Sequence, residues 1–274
     1  MENFDKKVIS FIVWENKPEQ VVGAIANAIY AAEIYPDWIC RFYTCKDMPR
    51  ELFQRLNEME HVETVEIESS KHDYKNILYR FLPAGEPDVY AMISRDVESR
   101  LSYREKYAVD EWMESDKMFH VMYDHPNFAG HVLPGCWGVK NKTLVGIGSI
   151  IRYYLTTMID RPWENAISLH GNEVVYNKGI DRHFLETVIY PMIDVSSMRH
   201  DEYTKNALGI QIGQNFPTQR KSADGYVGEI YDTEDNPIHP DWREMIDLKD
   251  YKSPNPHYHE ALRMEEIVRN FPVN

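Results

Sequence analysis

Asp88-Val89-Tyr90-Ala91-Met92-Ile93-Ser94-Arg95-Asp96-Val97-Glu98-Ser99-Arg100 begins as an apolar run and ends as a charged one. The apolar half has the length and side chains of a buried strand. The charged half follows it without a spacer. In an open α/β sheet, ligands bind beyond the carboxyl ends of the strands. That position here carries two carboxylates, Asp96 and Glu98, with Arg95, Arg100 and Arg104 around them. If the chain stays extended, residues i and i+2 share one side. Two hard oxygens on one side could then hold Mg²⁺ or Mn²⁺ and leave positions for a diphosphate. The alternative is a solvated turn whose carboxylates pair with the arginines.

Upstream of this stretch the chain alternates strand and helix signals. Val8 to Trp14 reads as a buried parallel strand, and Pro18 sits where a helix can begin. Val22, Ile25, Ala26, Ile29 and Ala32 recur at helical spacing, and Pro36 ends that helix. Trp38 to Tyr43 is a second strand, Pro49 to Met59 a short helix, and Val62 to Ile67 a third strand. This order opens a doubly wound α/β sheet.

Downstream, Ser102-x-x-Glu105 is a capping box for a helix whose apolar face is Ala108, Val109, Trp112 and Met113. Phe119 to Tyr123 reads as a strand and Pro134 to Gly138 as a tight loop. Ile147 to Met158 and Asp181 to Ile189 read as helices, and Val188 to Val195 as a strand-like run. Tyr226 to Tyr231 is a further strand. A loop-rich tail follows Asp232 and closes in a helix near Glu260 to Arg269. The expected organisation is one domain over 1–232 with a C-terminal extension over 233–274.

Bulk properties narrow the classes. A chain of 274 residues with 43% hydrophobic side chains can bury a core without disulfides. A net charge of −14 repels phosphate backbones and anionic lipid, so nucleic acid is not an expected partner. The three cysteines form no CxxC and point to a reducing, cytoplasmic setting. The Val8–Trp14 run is too short for a signal peptide or a membrane span. Asn141-Lys142-Thr143 is read as a chance sequon.

Five other places come into question, each with a plainer reading. In Pro134-Gly135-Cys136-Trp137-Gly138, Trp137 is either a core plug or a platform for a sugar face. Asp181 is either a helix N-cap or a carboxylate that binds or deprotonates an acceptor hydroxyl. His200 is either a third metal ligand oriented by Asp201, or part of a polar turn. His257-x-His259 has ligand-like spacing but reads as a solvated loop, and Asp124-His125-Pro126 reads as a turn.

Taken in order, these segments resemble a known family. Ser94-Arg95-Asp96-Val97-Glu98-Ser99-Arg100, then Arg104-Glu105, then Ala108-Val109-x-Glu111-Trp112, is similar to the RDxDSR (DxD-type) signature of small GT-A-like glycosyltransferases of large algal viruses and bacterial polysaccharide loci. Phe119-His120-x-Met122-x-Asp124-His125-Pro126, Gly135-Cys136-Trp137-Gly138-Val139-Lys140, Gly179-Ile180-Asp181-x-x-Phe184-Leu185, His200-Asp201, and Phe216-Pro217-Thr218-x-Arg220 with Val227-Gly228-Glu229 follow in the family's order. Asn27, Tyr35-Pro36-Asp37-Trp38 and Arg80-Phe81 also fit. The chain departs from the pattern at Glu98, where the family has Asp, at Pro134, where it has Gly, at Tyr123, where it has Arg, and at Arg182-His183, beside the family's Gln.

The resemblance implies a GT-A-like α/β fold, a mixed and mostly parallel Rossmann-like sheet flanked by helices. It implies a metal-dependent hexosyltransferase that moves a sugar from a UDP- or GDP-sugar to a glycan hydroxyl. Asp96, Glu98 and His200 would hold Mn²⁺ or Mg²⁺. Trp14, Arg80, Arg95 and Arg100 would bind the donor. Gly135, Trp137 and Asp201 would face the sugar or acceptor, and Asp181 would be the general base of an inverting enzyme. A homodimer is compatible with the sequence. Two rivals stand beside this reading: a degenerate carbohydrate- or nucleotide-binding module, and a sugar nucleotidyltransferase. The glycine-free Trp14-Glu15-Asn16-Lys17-Pro18 speaks against the second.

Overall fold

The apolar run at the start of the chain forms β1 (Lys6–Val13), and its pleat divides it between two cores. Val8 and Ile12 join one buried cluster, while Ile9, Phe11 and Val13 join the other. A strand covered on both faces needs such a continuous apolar sequence. The computed structural model describes residues 6–46, 48–68, 73–125, 132–159, 167–170, 173–176, 179–202, 213–219 and 225–238.

β1 is followed by α1 (Pro18–Ile34), whose first residue is a proline that owes no hydrogen bond there. Then come β2 (Ile39–Cys45), α2 (Arg50–Asn57) and β3 (Val62–Ile67). A 3-10 helix over Tyr74–Gly85 leads to β4 (Val89–Ser94). α3 (Tyr103–Glu114) starts at Ser102, whose hydroxyl accepts from the Glu105 N–H at 3.3 Å, as the capping box requires. β5 (Phe119–Tyr123), β6 (Trp137–Lys140) and α4 (Ile147–Ile159) follow. A hairpin of β7 (Ile167–His170) and β8 (Glu173–Tyr176) precedes α5 (Ile180–Phe184), a π turn (Leu185–Ile189), α6 (Tyr190–Ile193) and β9 (Ser197–Asp201).

Seven strands form one sheet in the order β3-β2-β1-β4-β6-β5-β9. Only β6 runs antiparallel to its neighbours β4 and β5. α1, α2 and α3 cover one face, with Trp112 and Ala28 fully buried there. The 3-10 helix, α4 and α5 cover the other, around Phe81, Ile147 and Phe184. This is the expected mixed, mostly parallel sheet flanked by helices. The three cysteines are buried and unbridged. Among the described residues no helix is long and apolar enough to cross a membrane.

Three expected elements differ. Val188–Val195 is helical for most of its length, because Pro191 falls in a first helical turn, where its missing N–H costs nothing. Trp137 and Gly138 lie in β6 rather than in a loop. Tyr226–Tyr231 makes a turn at Val227-Gly228, and its pairing is confined to isolated bridges, Ile230 with Ser99 and Tyr231 with Pro237. The helix expected near Glu260 lies outside the described residues, as do His257 and His259.

Candidate functional site

β4 delivers the acid pair to the carboxyl end of the sheet. The Arg95 N–H still bonds to the Ser10 carbonyl of β1, and the chain then leaves the ladder. The Ser99 N–H donates to the Asp96 carbonyl at 3.1 Å, so residues 96–99 form a turn. The extended-chain geometry expected of Asp96 and Glu98 is therefore replaced by a folded one.

α1 holds that turn in place. Asn27, fully buried, donates from Nδ2 to the carbonyls of Val97 (3.0 Å) and Ser99 (2.8 Å), and its Oδ1 accepts from the Leu101 N–H (3.0 Å). A Cβ on Gly23 would lie 2.1 Å from the Val97 carbonyl oxygen, so only glycine lets helix and turn approach this closely. Gln20 donates to Glu98 Oε1 at 2.7 Å, while its own Oε1 accepts from the N–H groups of Trp14 (3.2 Å) and Glu15 (2.9 Å). One side chain thus ties the end of β1 to the acid pair. Trp14 leans on Tyr74 with ring centroids 5.0 Å apart, beside the same end of the sheet.

Arg80 of the 3-10 helix joins the two acids that the sequence separates most widely. Its Nη1 lies 2.6 Å from Oδ1 of Asp96 and its Nη2 lies 2.6 Å from Oδ2 of Asp181. Asp181 stands at the start of α5, after Gly179 at φ +100°, and its Oδ1 accepts from the Arg182 N–H at 2.8 Å. Gly135 closes the other side of Asp96: a Cβ there would sit 2.3 Å from Oδ2. Burial first, then the charge of Asp96, raise the Glu98 carboxyl above its ordinary range. Asp96, Glu98, Asp181, Arg80, Gly135, Gln20 and Trp14 therefore belong to one locale.

The other expected site residues do not point there. Arg95 turns into the core, 2% exposed, and pairs with Glu105 (Nε to Oε2 3.2 Å). Arg100 pairs with Asp235 at 2.8 Å and donates to the carbonyls of Glu98, Ser99 and Asp232, so it fastens residues 232–235 to the acid turn. Arg100 is committed to these partners, and Arg95, whose Nη2 meets no hydrogen-bond partner among the described residues, is buried. Trp137 is fully buried against Phe81 and plugs the core, so it offers no face to a sugar. Asp201 is 1% exposed, within β9.

His200 is corrected on geometry. Its Nδ1 lies 2.8 Å from Nε2 of His120, and its Nε2 lies 3.0 Å from Oε2 of Glu111. The amide Nε2 of Gln214 also lies 3.1 Å from His200 Nε2, so each ring nitrogen has a neighbour whichever of them carries the proton. Both nitrogens are thereby used. In register, Ser94 faces Trp137, Trp137 faces Val121, and Val121 faces Arg199. Three strand spacings, about 14 Å, separate the backbone beside His200 from that beside Asp96, too far for shared ligation. Among the described residues no three His, Cys, Asp or Glu side chains are grouped to hold a metal ion.

Sequence reasoning missed Gln20 and Gly23. Their signal is a stripe, Gln20-Gly23-Asn27 at i, i+3 and i+7, which puts small and polar side chains along one line of a buried helix.

No family model matches this chain, and no curated protein does. Solved structures do resemble it in outline. A 4-diphosphocytidyl-2C-methyl-D-erythritol synthase from Anaerococcus prevotii is 10% identical, with 74% of this chain and 90% of that one covered, at a TM-score of 0.44. A glycosyltransferase involved in glycosylating the major capsid of PBCV-1 is 12% identical, covering 72% and 81%, at 0.41. Rv0371c of Mycobacterium tuberculosis, in complex with manganese, is 9% identical, covering 72% and 90%, at 0.38. What this chain does rests on its own side chains.

Proposed function

We propose that this chain is a metal-dependent, GT-A-like glycosyltransferase that moves a sugar from a UDP- or GDP-sugar to a hydroxyl of a glycan. The observation that carries the reading is the union, at one end of the sheet, of the Asp96–Glu98 turn with Asp181 through Arg80. Ligand sites of open α/β sheets lie at that end.

The acid pair fits a hard divalent cation. The carboxylates are close enough for the charge of Asp96 to raise the Glu98 carboxyl, and a cation between such groups relieves their repulsion. Mg²⁺ is commonly held by one or two carboxylates together with substrate phosphates and water, which suits a site with two acids. When bound, the metal would offset the negative charge that builds on the departing diphosphate.

The protein's own groups do the rest. Gln20 holds Glu98 from one side and the end of β1 from the other, where Trp14 and Tyr74 border the space for the nucleotide base. Gly135 leaves room for the Asp96 carboxylate. In an inverting reaction, the proton of the acceptor hydroxyl passes to the carboxylate of Asp181 as the oxygen attacks the sugar carbon. In a retaining reaction Asp181 orients substrate and the proton leaves by another route.

The test is turnover of donor. Purified protein incubated with radiolabelled UDP- and GDP-sugars and Mn²⁺ should release the nucleoside diphosphate, and in an inverting enzyme Asp181→Asn should abolish transfer. Release of pyrophosphate from a nucleoside triphosphate and a sugar phosphate would instead identify a nucleotidyltransferase. Binding without turnover under all conditions would identify a degenerate module.

A further inference from the structure

Arg80 sits between two carboxylates and is itself almost inaccessible, 4% exposed. Its Nη1 is committed to Asp96 and its Nη2 to Asp181, each at 2.6 Å. Nε is buried too and meets no hydrogen-bond partner among the described residues. A guanidinium has five donors, and leaving one of them buried and unmet costs free energy. Such a seat is held by charge rather than by full satisfaction of the group. The Asp96 side chain is 39% exposed, far more than the 5% of Arg80. Asp96 is thus open to solvent, but its Oδ1 is occupied by the arginine, and an ion that takes that oxygen takes it from Arg80.

The charges explain why an internal cation is needed. Asp96 and Asp181 are bridged by Arg80, and Glu98 stands two residues after Asp96 in the same hydrogen-bonded turn. Three carboxylates around one guanidinium leave the cluster with an excess of acid. Without Arg80 the repulsion would be larger still. A divalent cation on Asp96 supplies the same compensation and competes for the oxygen that Arg80 holds.

We propose that Arg80 is a resident cation of the acid cluster. It holds Asp96 when no metal is bound, a divalent metal must displace it from Asp96, and the displaced guanidinium then faces the diphosphate. This rests on the reading of the site as a metal-and-diphosphate site. It gives Arg80 two seats, one on carboxylate and one on phosphate, which is chemistry a planar guanidinium performs equally well on either. It also couples the two ligands: metal frees the arginine that phosphate uses, so each raises the affinity of the other.

The experiment is calorimetric titration of Mn²⁺ into wild type and Arg80→Met, each alone and with saturating UDP or GDP. Loss of the competing charge should tighten binding of Mn²⁺ alone by about tenfold or more. The enhancement of Mn²⁺ affinity by nucleotide should be smaller in the variant than in wild type. Mn²⁺ binding to Arg80→Met that is equal to or weaker than wild type overturns the proposal. If Arg80→Met does not fold, a crystal structure of wild type with Mn²⁺ and nucleotide decides. An Arg80–Asp96 separation beyond 4 Å supports the proposal, and a retained ion pair with metal on Asp96 overturns it. The transferase reading fails separately, and takes the proposal with it, if wild type binds no Mn²⁺ with either nucleotide.

Discussion

Gly135 and Asp96 are fitted to each other: a Cβ on the glycine would lie 2.3 Å from Oδ2 of the aspartate and 2.9 Å from its backbone nitrogen. β6 begins two residues after Gly135 and pairs with β4, which ends two residues before Asp96. The loop before one strand is thus pressed against the turn after the other. Gly135→Ala should push the Asp96 carboxylate off its seat. The expected result is a loss of stability of about 1–3 kcal/mol from overpacking, read by urea unfolding, together with weaker Mn²⁺-dependent nucleotide binding. Unchanged metal-dependent binding in the folded variant would show that the position of Asp96 is not critical.

Trp137 gives a prediction of the opposite kind. It is fully buried and packs edge-on against Phe81, with centroids 5.3 Å apart. Trp137→Ala should cost about 3–5 kcal/mol of stability. Trp137→Phe, which preserves most of the packing, should leave nucleotide and donor affinity of the folded protein unchanged. A selective loss of donor affinity in Trp137→Phe, with stability intact, would restore the sugar-stacking role that burial denies it.

The buried His120–His200 pair predicts how stability varies with pH. Burial lowers the proton affinity of both, and for His120 the neighbouring His200 lowers it further. The folded-state values lie below the unfolded value of about 6.5, so the unfolded chain binds more protons in this range. Stability from these groups is fully present above the unfolded value and is lost as pH falls below it. Urea unfolding at pH 7.5, 6.5 and 5.5 should show falling stability, with a shallower fall in a His120→Gln/His200→Gln double variant. The same slope in wild type and double variant would contradict this.

Much of the fold is legible in the sequence because its strands are buried on both faces. Val8–Val13 and Val89–Ser94 read as strands since both clusters draw side chains from them. Val188–Val195 misleads for the same reason: a short apolar run has no periodicity that separates strand from helix, and Tyr190-Pro191 settles it locally. The places of the acid pair and of Asp181 are legible because the first follows a strand and the second opens a helix. The direction of an arginine is not written in its spacing. Arg95, Arg100 and Arg104 look alike beside Asp96, yet they pair with Glu105, Asp235 and Asp124 respectively. Arg80, 16 residues upstream, is the one that reaches the acid. For His200, the sequence does not reveal that three strand positions separate it from Asp96 or that Glu111 and His120 already lie at its nitrogens.

The most direct test is isothermal titration of the purified protein with UDP and with GDP, each in Mn²⁺ and in EDTA, repeated on Asp96→Asn. We expect one nucleotide to bind only with metal, and that binding to vanish in Asp96→Asn while the variant keeps its fold by circular dichroism. Binding that ignores EDTA, or that survives intact in Asp96→Asn, would contradict the central claim that the turn after β4 is a metal-and-diphosphate site.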